Sequence, residues 1–522
     1  MPLRRSFTVT VLVGMLTFIA CKRMESNYCP TATHHNCMEL DAAVGNSCGN
    51  NQECSGATPV CDVGSNTCVQ CTASEASACT GTTPVCGSSN TCVQCTPSEA
   101  SACTGTTPVC GSSNTCIQCT VSEAGACTGT TPVCDSNNTC VQCTPSEANA
   151  CTGITPVCGA SNTCQGCTTH AECTASNACL ADGSCAAETD VAYVAPSGTG
   201  NTCTKMTPCK TVADALNTSR SYVKFRGAGS TNELVMLNNR NVTILADPGA
   251  VLTNTSNGIL LRIDGTSQVA IYDLEISGAS GPNNPGISLQ PGNAATVSLT
   301  RVKVSGNQGP GIAATGGSLT VTQSTVSGNQ GTGISAVDGS LTVAGSTIGV
   351  SAANTGGGIS ITSSEYQLFN NVIANNGGPT SAFGAAQISQ ISMNGTHVFD
   401  FNTVTGNQAV GTNVAGVVCS LVGVPLTFTN SIVFRNGTAA QVDGANCTWS
   451  YSDVGPSAVP GIGNINADPM FVNAGQNNFH LMPGSPAQHA ADPSAVLTGL
   501  ASHDIDGDLR VSPADIGADQ LK

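Results

Sequence analysis

Along the middle of the chain the inward-facing apolar positions recur with the spacing of a coil. Ile276, Val304, Val326, Ile348, Ile373, Val404 and Val433 each close a short β-branched run before a turn, at intervals of 28, 22, 22, 25, 31 and 29 residues. Some copies are nearly verbatim. Val304-Ser305-Gly306-Asn307-Gln308-Gly309 returns as Val326-Ser327-Gly328-Asn329-Gln330-Gly331, and Gly317-Ser318-Leu319-Thr320-Val321 returns as Gly339-Ser340-Leu341-Thr342-Val343. A short strand, a Gly-Asn turn and a repeat of this length predict an all-β chain wound as a parallel β-solenoid, with loops absorbing the unequal intervals.

Three residues beyond the mark stands Asn in five of the seven coils: Asn307, Asn329, Asn376, Asn407 and Asn436. Asn tolerates the left-handed backbone of a tight turn. Stacked at a strand spacing of about 4.8 Å, its amides can also hydrogen-bond from coil to coil. In coil length and Asn ladder the stretch resembles the right-handed parallel β-helix of the pectate-lyase type. The alternative is a β-sandwich with chance repeats.

At the N-terminus Arg4 and Arg5 precede an uncharged apolar run ending Phe18-Ile19-Ala20-Cys21. Residues 1–20 read as a secretory signal peptide, too short for a comfortable membrane span. Its end resembles a bacterial lipobox, although Phe18 stands where Leu is usual, and the resemblance implies lipidation of Cys21. The 31 cysteines are an odd number, so removing Cys21 leaves the rest able to pair. Plain cleavage and release is the alternative. Several acyl chains on one Cys suffice for a stable anchor.

Residues 21–47 read as a linker, and 48–185 as cysteine-rich repeats. Cys71, Cys79, Cys86 and Cys92 recur at a strict period of 24 through Cys143, Cys151, Cys158 and Cys164, with a looser copy before and a shorter one after. A unit this small cannot bury a sufficient core, so cross-links must hold it. The Cys-x2-Cys junctions also admit a zinc ribbon, but export and the scarcity of His favour disulfides. Each unit allows three pairings, and the spacing does not choose among them. The array loosely resembles the cysteine-rich module of Dickkopf proteins. A protease-resistant stalk is the expected role, before a specific binding module.

The solenoid is expected over 190–440, opening with Tyr193-Val194-Ala195-Pro196 and a short helix around Val212, Ala215 and Leu216 that closes its end. Cys203 and Cys209 are expected to staple the loop before it. Cys419 and Cys447, about one coil apart, are expected to bridge neighbouring coils. Residues 441–522 read as C-terminal coils and a cap. Asp468-Pro469-Met470-Phe471, Phe479-His480-Leu481, Asp504-Ile505-Asp506-Gly507-Asp508-Leu509-Arg510 and Asp515-Ile516-Gly517 resemble the C-terminal segment of bacterial surface proteins called choice-of-anchor Q. Gln520 stands where that family has an acid. Asp504, Asp506 and Asp508 suggest calcium, but Leu509 stands where an EF-hand loop needs Gly. A structural turn is expected instead, with Arg510 paired to a nearby Asp.

The formal net charge of -16 disfavours nucleic acid and polyanions as partners. Charged residues are 9% of the chain, and Val304 to Phe434 contains neither Lys nor Arg. A lyase acting on uronates needs a base and carboxylates for calcium. The one constellation of that kind sets Asp273 and Glu275 in the same coil positions as Arg301 and Lys303. Cross-coil ion pairs are the expected reading; a site with Arg301 as base is the catalytic one. His397 and Asp400, three apart on a strand, point to opposite faces. The expected protein is an exported, lipid-anchored surface protein of the cell envelope that binds glycan or another surface. It touches membrane only through its anchor, and no metal or cofactor is expected. A polysaccharide lyase or hydrolase is the runner-up; aromatics, at 3%, are few for sugar stacking.

Overall fold

In a computed structural model the described residues are 47–256, 258–389, 395–420, 425–437 and 440–522. The chain divides into two compact units, residues 1–118 and 119–522. Cys21 lies outside the described residues.

In the first unit the disulfides never leave their repeat. Cys71 bonds Cys86, and Cys79 bonds Cys92, so the first cysteine pairs with the third and the second with the fourth. Cys86 and Cys92 stand opposite each other in a two-stranded hairpin, yet each bonds back to the segment before it. The hairpin turns at Asn90, whose φ of 56° is left-handed. The other repeats of this unit follow the same rule.

The second unit opens with three more repeats of the same pairing, ending at Cys167–Cys179 and Cys173–Cys185. The division of the chain thus falls inside the cysteine-rich region, at 118, and leaves half of the repeats with the solenoid.

From Val191–Val194 onward the second unit is an all-β parallel solenoid. One sheet has ten strands, from Gly229–Asn232 to Asp453–Gly455. Along it Ile276, Val304, Val326, Ile348, Ile373, Val404, Val433 and Val454 stand in register, all buried. The coils therefore continue one turn past Phe434. A second sheet of eighteen strands covers two further faces, because Ile287–Thr300 and Ile312–Thr322 run through the corner without a break. Alternate strand residues fill a single core along the axis. The short helix Val212–Asn217 is capped by Thr211, whose Oγ1 accepts from Asp214 N at 3.1 Å. Its buried Val212 and Ala215 join that core.

Inside one corner runs a continuous amide ladder. From Asn307 through Asn329, Asn354, Asn376 and Asn407 to Asn436, each Nδ2 donates to the next Oδ1 at 2.8 to 3.0 Å, and Asn436 Nδ2 donates to Gln441 Oε1. The Oδ1 atoms of Asn307, Asn329, Asn354, Asn407 and Asn436 also take a backbone N–H, that of Asn329 from Asn307 N at 3.2 Å. Asn354, three residues later in its coil than the pattern predicts, fills the rung that Ser351 was aligned with. The left-handed backbone is a correction to the sequence reading. It belongs to the residue before the ladder position, at Gly306, Gly328, Asn375, Gly406 and Arg435, while the ladder residues themselves are not left-handed.

A second ladder lines the preceding corner. Ser324, Ser346, Asn371, Asn402, Ser431 and Ser452 each accept a backbone N–H from the coil before, at 3.0 to 3.2 Å. Cys419 and Cys447 are bonded, with Cα atoms 6.3 Å apart, and Cys203 is bonded to Cys209.

The chain after Gly455 folds back along the outside of the coils. Asn430 Oδ1 accepts from Asp492 N at 2.7 Å, and Thr403 Oγ1 accepts from Ala518 N at 2.9 Å. Arg510 is buried in this segment, 4.3 Å above the Phe401 ring. Its bonds correct the expected Asp pairing: they go to Asn370 Oδ1 (3.1 and 2.9 Å) and to the Gly517 carbonyl (2.7 Å). The three acids before it serve the turn. Asp504 Oδ1 accepts from the N–H groups of Asp506 and Asp508, Asp506 lies 3.2 Å from His480, and Asp508 pairs with Lys522.

Candidate functional site

One outer corner of the solenoid is a column of left-handed residues: Asp273, Arg301, Gln323, Gly345, Asn370, Phe401 and Asn430. Each follows a strand whose neighbours are in register, so successive positions on this corner stack at the rung spacing. At Asp273 and Arg301 the stacking makes an ion pair. Arg301 Nε and Nη2 donate to the two oxygens of Asp273 at 2.6 and 2.9 Å, a forked geometry. Two residues on, Lys303 Nζ lies 3.0 Å from Glu275 Oε1.

A third group joins them from outside the solenoid. His170, in the last cysteine repeat, places Nε2 3.5 Å from Asp273 Oδ2. Its Nδ1 accepts from Cys179 N at 3.0 Å, which leaves the ring proton on Nε2, facing the carboxylate. Burial pushes the Asp273 carboxyl up, but its contacts with His170 and Arg301 outweigh burial and bring it down to about 2. Hydrogen bonding to Asp273 raises Arg301 above its ordinary value.

This cluster lies in a cleft of about 1000 Å³ between the repeat Cys167–Cys185 and the outer face of the first coils. Tyr272, Pro248 and Leu180 give it apolar surface; Asp247, Asp273 and Arg301 give it charge, and His170 adds a donor. Behind Asp247 stands Lys224, fully buried, with Nζ 2.7 Å from Asp247 Oδ1. Burial lowers that ammonium to about 8, with Asp247 opposing the shift. A second cleft, about 670 Å³, continues along the corner past Gln323 and Gly345 to Asn370. The returning C-terminal stretch around Leu500 and Asp506 forms its side, and Arg301 lines both clefts.

Arg301 was singled out from the sequence, and the structure places it with Asp273. His170, Asp247, Tyr272 and Gln323 were not assigned to a binding site, and no local motif marks them. The Asn ladder lies inside the coils, away from this surface. His397 packs edge-on against the buried Tyr366 ring at 5.4 Å, whereas Asp400 accepts from Thr429 Oγ1 and Asn430 Nδ2.

Residues 285–454 match the family model described as right handed beta helix region. Residues 35–130 and 98–192 match a family of unknown function (DUF8331). No curated protein matches the chain. Among solved structures, the crystal structure of pectate lyase Pel9A is 13% identical, with a TM-score of 0.39. The match covers 64% of this chain and 96% of that one.

Proposed function

We propose that this is a lipid-anchored cell-surface protein whose right-handed β-helix binds glycan without cleaving it. The observation that carries the non-catalytic reading is the forked Arg301–Asp273 pair, which keeps the guanidinium protonated and removes the base a lyase needs. The next rung offers Gln323, which is not a carboxylate for calcium. The test is an assay for unsaturated product from a panel of polyuronates with calcium present, on the native protein and on Arg301→Ala. No product from either is expected. Activity in the native protein that the substitution abolishes would instead establish a polysaccharide lyase.

The anchoring reading rests on the lipobox-like end of the leader and on cysteine parity. Fourteen disulfides use 28 of the 31 cysteines; Cys21, Cys29 and Cys37 lie outside the described residues. Cys29 and Cys37 can pair with each other, which leaves Cys21 for the acyl chains. Mass spectrometry of the mature protein is expected to find an acylated N-terminal Cys21. A free N-terminus at any other residue would remove the anchor from the proposal.

A further inference from the structure

The two clefts share Arg301 and follow one corner of the solenoid. We infer that together they form one trough for a linear, uncharged oligosaccharide lying parallel to the solenoid axis, held by Arg301 and Gln323 on that corner. This rests on the glycan-binding reading and adds the site, the ligand's charge and its length.

Length comes from the register. Asp273, Arg301, Gln323, Gly345 and Asn370 occupy successive rungs, so the trough from Asp273 to its end at Asn370 spans four rung steps, about 19 Å at strand spacing. An extended 1,4-linked hexose advances by nearly one rung spacing per ring. Successive sugars therefore meet successive corners, and about four fit. The trough has ends and a side because segments outside the coils supply them. The repeat Cys167–Cys185 walls it at the Asp273 end, and the C-terminal stretch around Leu500 flanks it up to Asn370. Asn370 itself is taken up by that stretch, donating Nδ2 to the Leu500 carbonyl.

Charge comes from the lining. Asp247 is matched by Lys224 and by Asn177, whose Nδ2 lies 3.3 Å from Asp247 Oδ1. Asp273 is matched by Arg301. Asp506 lines the second cleft. Among the described residues that line the two clefts Arg301 is the one Arg or Lys, and it is engaged with Asp273, while the acidic chain repels a uronate. Hydroxyls suit the same groups well: Arg301 and Gln323 are exposed donors, and the carboxylates are acceptors. Tyr272 gives a ring for sugar carbons, with Arg301 6.0 Å from its centroid.

The test is titration calorimetry of the full chain with neutral gluco- and manno-oligosaccharides of two to six rings and with galacturonans of the same lengths. The proposal expects a neutral series to bind, to tighten up to four rings and then level off, with the galacturonans at least about tenfold weaker. Arg301→Ala and Gln323→Ala should each weaken binding about tenfold or more, while Gln387→Ala, on a different face, should leave it unchanged. Neutral sugars that bind the native chain but are indifferent to Arg301→Ala and Gln323→Ala would overturn the trough and leave glycan binding standing. Galacturonans binding as tightly as neutral sugars would overturn the assignment of charge. No binding of any sugar would overturn both the trough and the reading it rests on.

Discussion

Asn329→Ala is expected to cost about 3 to 5 kcal/mol, the largest effect of any single exchange considered for the solenoid. The amide is fully buried and saturated. Its Oδ1 accepts from Asn307 N at 3.2 Å and from Asn307 Nδ2 at 2.8 Å; its Nδ2 donates to Val304 O and Asn354 Oδ1. Truncation strands two donors of Asn307 where water cannot follow, and each stranded group costs about 1 to 3 kcal/mol. A small cavity adds to this. Lys303→Ala, which removes an exposed ion pair of the same coil region, should cost less than about 1 kcal/mol. Urea unfolding followed by circular dichroism compares the two. Equal shifts in the midpoint would mean that the ladder adds no more than the surface does.

Arg510→Ala should cost about 3 kcal/mol and should act locally. Burial brings this guanidinium down to about 10, so it remains charged at neutral pH. Its hydrogen bonds join the returning C-terminal segment to Asn370, and its plane lies over Phe401. Without it, Asn370 Oδ1 and the Gly517 carbonyl lose their donors. Hydrogen exchange should accelerate in residues 485–520 and stay slow in the Asn307–Asn436 ladder. Uniform acceleration would show instead that the segment and the coils unfold as one.

The coils were legible because their signal is local and repeated. Ile276 to Val433 keep a fixed place before the turn, so unequal loops do not disturb the reading. Asn354 escaped it because extra residues sit between Ile348 and the ladder position. The second ladder escaped it because Ser324, Ser346, Asn371 and Asn402 share a role and not a side chain: any short acceptor reaching the preceding N–H will serve. The left-handed residues were placed one position late, since the Gly before Asn carries the turn. The corner acids and bases could be aligned from the register alone. His170 could not, because its approach to Asp273 depends on how a disulfide-bonded repeat packs against coils distant in the chain. Arg510 failed for the same reason, and its nearness in sequence to three acids pointed the wrong way.

The pairing of first cysteine with third and second with fourth bears on how such a gene can change. Every bond of the 24-residue repeats closes within its own repeat. Unequal recombination between the nearly identical copies adds or deletes a whole period and leaves no orphan thiol. Pairing between repeats would have made each such event a folding defect. Copy number in this region is therefore open to drift between lineages.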